Sequence, residues 1–187
     1  MRGKIRFLSI IVLCTFVSAI SFLAFKIITS TKTSEFIGRN VIIPNDMTFY
    51  HLGEICNYPS QKKYKILMIH NSLECPSCQM KIYEWNEYMQ TLPLDCRNNI
   101  AFVMIVKTKQ RQHVINCLKS EKYEGYISFD DSFSFCKQNP SFCPQTSLYF
   151  LVDSTNIVLF DGNPLRFEKI KDNYSQILRG DFAHDCH

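Results

Sequence analysis

Apolar residues in the body of the chain follow two alternating patterns. Residues 65–71 and 100–106 are short, almost continuous apolar runs, which are typical of strands buried on both faces of a sheet. Between these runs, apolar residues recur at helical spacing from Ile82 to Leu92. The pattern predicts a strand, a turn, a helix and a second strand in that order.

The same alternation continues to the end of the chain. The further elements predicted are a helix at 109–122, a strand at 126–129, a short helix at 132–138, strands at 147–152 and 157–160 joined by a turn, and a terminal helix from Phe167 that ends before Gly180. Strands that alternate with helices pair in parallel and carry helices on both faces, whereas the closing hairpin is antiparallel. The sequence therefore predicts an α/β fold with a mostly parallel, mixed central sheet flanked by helices.

The N-terminal segment has a different composition from the body. Residues 7–25 carry no charge and follow Arg2, Lys4 and Arg6. Their number is close to the roughly twenty residues that cross a bilayer, and a basic flank stays on the cytoplasmic side. We expect a transmembrane segment at 7–25 that places the rest of the chain in the periplasm or otherwise outside the cytoplasmic membrane.

Three regions follow from this interpretation: a signal anchor at 1–28, a polar linker at 29–34 and one folded domain at 35–187. A cleaved signal peptide is the alternative, because Ala19-Ile20-Ser21 offers small residues at the positions a signal peptidase requires. The apolar run continues past that site, so an anchor is favoured. If cleavage occurs, the domain is secreted.

Charge excludes one class of partner. The formal net charge of +4 arises entirely within the first 26 residues, and the remainder has seventeen basic and seventeen acidic residues. A neutral body lacks the basic surface that attracts a phosphate backbone. We therefore expect no nucleic-acid partner.

Cysteine usage indicates an oxidising compartment. The chain has nine cysteines, more than is usual for a cytosolic protein of this size. Eight of them lie beyond the apolar segment: Cys56, Cys75, Cys78, Cys96, Cys117, Cys136, Cys143 and Cys186. Their connectivity does not follow from the sequence, although Cys136 and Cys143 flank one loop and structural pairing between them is favoured over a redox relay.

The motif Cys75-Pro76-Ser77-Cys78 carries the candidate chemistry. Zinc binding would need a second pair of ligands at short spacing, and neither Cys136 with Cys143 nor the terminal His184, Cys186 and His187 makes a recognised zinc spacing. A thiol–disulfide centre needs one stabilised, accessible thiolate and a second thiol close enough to resolve the mixed disulfide. The spacing of Cys75 and Cys78 supplies both without a cofactor.

The turn before the predicted helix assigns the roles of the two cysteines. If Pro76 takes the first helical position, Cys75 is the N-cap and its sulfur faces free backbone N–H groups. Those groups and the helix dipole should lower the pKa of Cys75 below about 8.5. Glu74 opposes this shift, so we expect a moderately lowered pKa, with Cys75 as nucleophile and Cys78 as resolver.

The chain at about residues 36–180 resembles the thioredoxin superfamily, in particular its TlpA/redoxin-like branch of membrane-tethered thiol–disulfide proteins. The resemblance rests on residues 74–78 after a buried strand, on the order of the elements, and on the closing hairpin followed by Gly162-Asn163-Pro164. It implies that a cis-proline faces the cysteine pair, and Pro144 is the candidate. Together with Pro76, Ser77 and Cys143, Pro144 would contact a protein substrate.

Two departures from the family pattern bear on activity. Glu74 replaces the usual tryptophan before the first cysteine, and residues 66–69 lack the buried acid that deprotonates the resolving thiol. Glu84 on the following helix is a possible replacement. His70 is more readily explained as a strand-end residue satisfied by backbone than as a general base, and Trp85 as core.

The sequence leaves three hypotheses. The first is an exported oxidoreductase that exchanges disulfides with protein cysteines of the cell envelope and with a redox partner protein. The second is a non-catalytic thioredoxin-like binding module in which Cys75–Cys78 is a structural disulfide. A peroxidase of the peroxiredoxin type is disfavoured, because Met68 occupies the position where that family has proline.

Overall fold

The computed structural model describes residues 34–70, 75–143 and 147–182. The predicted membrane segment at 7–25 and nearly all of the predicted linker lie outside these ranges. Within them, no helix is both long and apolar enough to cross a membrane. The account below concerns the unit that begins at Phe36.

Seven strands and six helices make up the described part of this unit. The strands are β1 (Phe49–His51), β2 (Glu54–Cys56), β3 (Tyr64–His70), β4 (Ile100–Val106), β5 (Tyr126–Phe129), β6 (Leu148–Asp153) and β7 (Val158–Asp161). The helices are α1 (Pro76–Met80), α2 (Ile82–Thr91), α3 (Leu94–Asn99), α4 (Arg111–Ser120), α5 (Ser134–Gln138) and α6 (Glu168–Phe182), with a 3-10 turn at Pro140–Phe142.

The strands form one mixed sheet in the order β2-β1-β5-β4-β3-β6-β7. Only β3, β4 and β5 run parallel to one another, and the other neighbours pair antiparallel. The mixed sheet confirms the predicted α/β fold, but the expectation of a mostly parallel sheet was wrong. Antiparallel strands join the parallel centre from both sides.

Burial on both faces explains the apolar sequences of the central strands β3 and β4. Every residue of β3 and β4 is buried, because helices cover both faces of the sheet. Trp85 and Tyr174 pack in the cluster on one face, and Phe135, Phe142 and Phe150 pack in the cluster on the other. A strand covered on both faces has apolar residues throughout, which is why its sequence is an apolar run.

The predicted helix after the cysteines is interrupted at Lys81. This residue has the left-handed backbone conformation, with φ of 49°, and separates α1 from α2. Met80 and Ile82 are both almost fully buried, yet residues two positions apart do not face the same side of a continuous helix. The break at Lys81 allows both side chains to enter the core.

Three other features depart from the prediction. The hairpin of β1 and β2 and the short helix α3 were not predicted, and α6 continues through Gly180 rather than ending before it. The hairpin turns at Leu52 and Gly53, which both have positive φ, as a two-residue type I′ turn requires. A Cβ added at Gly180 would meet no atom within 4 Å. No close contact at this glycine therefore interrupts the helix.

Candidate active site

Cys75 and Cys78 form a disulfide at the start of α1, with their Cα atoms 5.4 Å apart. Cys75 is the N-cap with an extended backbone, φ −127° and ψ 91°, and Pro76 begins the helix. The backbone N–H of Gln79 donates a 3.0 Å hydrogen bond to the carbonyl of Cys75. The predicted positions of Cys75 at the N-cap and Pro76 at the helix start are confirmed, because proline fits the first helical position and lacks the N–H that would be unsatisfied there. The Cys75 side chain makes no capping hydrogen bond in this oxidised form.

The two cysteines differ in exposure. Cys75 is half-buried, Cys78 is exposed and Pro76 is buried. Capping favours Cys75 as the more acidic thiol, whereas exposure favours Cys78 as the more accessible sulfur in the oxidised form. The two criteria therefore point to different cysteines as the one that forms the mixed disulfide with the substrate.

His70 ends β3 and is only 1% exposed. Its Nδ1 shares a 2.9 Å hydrogen bond with the hydroxyl of Ser147, and its ring packs edge-on against Tyr149. Burial lowers the pKa of His70 to about 4. The expectation that backbone satisfies this side chain was wrong, because the partner is a side chain 77 positions away.

The buried imidazole should make stability depend on pH. The pKa of His70 is about 4 in the folded chain and about 6.5 in the unfolded chain, so the unfolded chain binds the extra proton first. Stability is complete above pH 6.5 and falls as the pH drops toward 4, with a loss of about 2 kcal/mol between pH 7 and pH 5. Urea unfolding at the two pH values measures this loss.

The matched control for this measurement is an exposed histidine. His70→Phe removes the titrating group and should reduce the loss between pH 7 and pH 5 by about 2 kcal/mol. His113 is exposed on α4, so His113→Gln should leave the loss as it is in the parent protein. Equal pH dependence in the parent protein and His70→Phe would contradict the assignment.

A cleft of about 670 Å³ opens beside the disulfide. Its lining includes Cys78, Ser147, Tyr149, Asn163 and Arg166. Burial raises the pKa of Tyr149 above its ordinary value, and the neighbouring Ser147, Arg166 and Asn163 partly offset the rise. Polar groups that come from β6 and from the segment after β7 thus meet next to the cysteine pair.

Among the described residues, strand β3 offers no carboxylate to the cysteine pair. Residues 66–69 of β3 are apolar and buried. Glu84 does not take the place of the missing acid, because its side chain is 41% exposed and forms an ion pair with Lys81 at 2.8 Å. A resolving thiol here has no buried acid on β3 to accept its proton.

Cys136 and Cys143 form a second disulfide, with their Cα atoms 5.4 Å apart. The pairing favoured from sequence is therefore confirmed. Pro144, the expected cis-proline, lies outside the described residues, as does Cys186. Among the described cysteines, Cys56 and Cys117 are half-buried free thiols and Cys96 is buried.

Of the predicted catalytic pair, Cys78 lines the cleft, whereas Pro76 and Cys143 of the predicted substrate-binding set are not among its described lining residues. Cys143 precedes Ser147, which lines the cleft, by four positions in the sequence. Sequence reasoning missed Ser147, Tyr149 and Asn163, because polar residues next to an apolar strand carry no distinctive spacing. Within the described ranges, no three His, Cys, Asp or Glu side chains are placed to share a metal ion.

Comparisons with solved structures identify the fold. The thioredoxin domain of a thiol-disulfide oxidoreductase from Bacteroides vulgatus superposes with a TM-score of 0.58 at 13% identity, covering 78% of this chain and 99% of that one. A putative thiol:disulfide interchange protein DsbE from Chlorobium tepidum gives 0.56 at 14% identity, over 78% of this chain and 98% of that one.

A reduced 2-Cys peroxiredoxin from Plasmodium vivax is also similar, with a TM-score of 0.54 at 13% identity over 81% of this chain and 99% of that one. No protein-family model and no curated protein matches the sequence. Thiol-disulfide oxidoreductases and a peroxidase thus share this arrangement of strands and helices. The chain has the thioredoxin fold.

Proposed function

We propose that the chain is an exported, membrane-anchored thiol–disulfide oxidoreductase that acts on protein cysteines through Cys75 and Cys78. The observation that carries the proposal is the disulfide at the N-cap of α1, directly after the central strand β3. The uncharged run at 7–25 and the eight cysteines beyond it support export. The structural neighbours named as oxidoreductases have the same fold.

The chemistry is two successive exchanges. The thiolate of Cys75 attacks a disulfide of the substrate protein, and the departing substrate thiolate takes up a proton. Cys78 then loses its proton and attacks the sulfur of Cys75, which releases the second substrate thiolate and forms the Cys75–Cys78 bond. The reverse sequence oxidises a substrate dithiol, so the same centre serves either direction of electron flow.

The role of nucleophile is proposed for Cys75. Cys75 is the N-cap of α1, and the free backbone N–H groups and dipole of a helix N-terminus favour a thiolate at that position. Substrate contact is proposed for Pro76, Ser77, Cys143 and Pro144, and the cleft that Cys78 lines is the proposed place for the substrate chain. A substrate chain bound there would present its cysteine to the pair.

A second candidate function is a non-catalytic binding module with a structural Cys75–Cys78 disulfide. The apolar side chains of residues 66–69 favour it, because no acid on β3 assists the resolving thiol. A peroxidase is disfavoured, since Met68 replaces the proline of the peroxiredoxin motif and is fully buried in β3. Redox behaviour distinguishes the first two functions.

Redox titration of the full chain in detergent tests the proposal. The Cys75–Cys78 bond should open and close reversibly across glutathione and dithiothreitol buffers, because exchange at a pair with an exposed sulfur requires no unfolding. Alkylation with peptide mass analysis counts the thiols, and far-UV circular dichroism reports the fold. A pair that stays oxidised until the fold is lost would support the binding module instead.

A further inference from the structure

The second disulfide, Cys136–Cys143, joins α5 to the end of the 3-10 turn. Both cysteines are half-buried, so a thiol reagent has some access to the pair. The mechanism proposed for Cys75 and Cys78 makes no use of it. The residues around it determine whether it serves only to hold the segment in place.

Aromatic side chains hold both ends of this segment independently of the disulfide. Phe135 precedes Cys136 and is fully buried, and Phe142 precedes Cys143 and is 4% exposed. The ring of Phe142 lies 5.3 Å from that of Phe150, measured between centroids. Each cysteine is therefore adjacent to a residue anchored in the core.

Polar side chains hold the same backbone. The buried carboxylate of Asp130 accepts hydrogen bonds from the N–H groups of Phe135, at 3.0 Å, and Cys136, at 3.3 Å. The buried side chain of Asn139 bonds to both the N–H and the carbonyl of Ile42, at 2.8 and 2.7 Å, and to the carbonyl of Phe135 at 3.0 Å. These contacts remain when the disulfide opens.

Reduction of the pair should therefore leave the two thiols close together. Sulfurs held near each other by the surrounding fold re-form their bond in an intramolecular reaction at high effective concentration. Such a pair can cycle between dithiol and disulfide without unfolding. A purely structural disulfide would instead be expected in a segment that has few other contacts to hold it in place.

The chain brings this pair to the edge of the sheet that carries the first one. Cys143 is four positions before Ser147, so their Cα atoms are at most about 14 Å apart. Ser147 lines the cleft together with Cys78 and bonds to His70, which ends β3 five positions before Cys75. Cys75 follows the end of β3 and Cys143 precedes the start of β6, and these two strand ends are paired neighbours at one edge of the sheet.

We propose that Cys136–Cys143 is a second redox couple that exchanges electrons with Cys75–Cys78, which rests on the proposed function of that first pair. The thiolate of Cys75 attacks one sulfur of Cys136–Cys143, and the thiolate released from that bond takes a proton. Cys78 loses its proton and attacks Cys75, releasing the second thiolate, which is also protonated. Two electrons and two protons move from the first pair to the second, which then reduces a disulfide of another protein.

The test follows the four cysteines separately in the full chain in detergent. Oxidised protein receives one molar equivalent of dithiothreitol, and samples alkylated over time are analysed by peptide mass. Thiols should appear first at Cys75 and Cys78 and then at Cys136 and Cys143, at a rate independent of protein concentration. In Cys75→Ser/Cys78→Ser, reduction of the second pair should be at least about tenfold slower, because only the intermolecular route remains.

The outcomes separate the two proposals. A first pair that reduces while Cys136–Cys143 stays oxidised, or a second pair that reduces equally fast in the double variant, would overturn the relay alone. A first pair that never reduces in the folded chain would overturn the proposed function. Cys117→Ser, which alters a half-buried free thiol, is the matched control and should behave as the parent protein.

A second variant tests the anchoring on which the relay depends. Cys136→Ser/Cys143→Ser should keep the far-UV circular dichroism of the parent protein, because Phe135, Phe142 and the bonds of Asp130 and Asn139 hold the segment. Loss of the folded spectrum in this variant would show that the disulfide is needed to hold the segment, and the relay would then be wrong.

Discussion

Cys75→Ser is expected to lower the rate of protein disulfide reduction by about a thousandfold or more, because no other described residue supplies the attacking thiolate at the N-cap of α1. Cys78→Ser should instead accumulate a mixed disulfide between Cys75 and the substrate, since the resolving attack is lost. The rate is measured with a model protein disulfide, and the trapped species is identified by non-reducing electrophoresis and mass analysis.

Exposure gives this experiment a second informative outcome. Cys78 is the more exposed residue of the oxidised pair, so a mixed disulfide that accumulates in Cys75→Ser and not in Cys78→Ser would reverse the two roles. Cys117→Ser should retain the parent rate, because this free thiol lies on α4, outside the lining of the cleft. Parent-level activity in both active-site variants would reject the oxidoreductase.

Trp85→Ala is expected to destabilise the domain by about 3–5 kcal/mol, the usual cost of removing a large aromatic side chain from a core. Trp85 is 1% exposed. Its ring stacks on Tyr149, with centroids 5.9 Å apart, and lies edge-on to Tyr88 and Phe102. Urea unfolding followed by far-UV circular dichroism measures the change, because the variant lacks the single tryptophan that fluorescence would follow.

The control for this prediction lies on the same helix. Tyr83 is 61% exposed, so Tyr83→Ala should cost less than about 1 kcal/mol. Trp85→Phe keeps much of the apolar volume and should fall between the two. A loss in Trp85→Ala no larger than that in Tyr83→Ala would mean that α2 does not pack on the sheet as described.

Trp85 also links the core to the candidate site. Its ring stacks on that of Tyr149, which lines the cleft together with Ser147 and Asn163. Trp85→Ala is therefore expected to lower the rate of disulfide exchange even while the backbone of α1 stays in place. The reason is that the cavity left by the tryptophan lets Tyr149 shift. Comparing activity and stability at low urea separates the two effects.

Local patterns predicted the elements that depend on local causes. The bounds of β4 and β5 match the prediction, and β3 is displaced by one residue, because a strand buried on both faces has apolar residues from end to end. The capping of α1 by Cys75 was also predictable, since Pro76 restricts the backbone at that position by itself. The pairing of Cys136 with Cys143 followed from their place on either side of one short loop.

Long-range contacts determined the features that sequence reasoning missed. The hairpin of β1 and β2 exists because Phe49 pairs with Ser128 across the sheet, and its short strands carry no pattern strong enough to predict. The break at Lys81 arises because Met80 and Ile82 must both enter the same core. Neither cause is visible without the partner surface.

The features of the candidate site also depend partly on local sequence and partly on long-range contacts. The sequence alone determined the cysteine pair, its place after a buried strand and the cap on its helix, because proline geometry and apolar runs act over a few residues. Only the tertiary structure decided that Cys78 is the more exposed cysteine of the pair, that His70 bonds to Ser147, and that Cys78 and Ser147 line one cleft. These features depend on β6 pairing with β3, and burial and hydrogen bonding between such distant segments exist only once the sheet has formed.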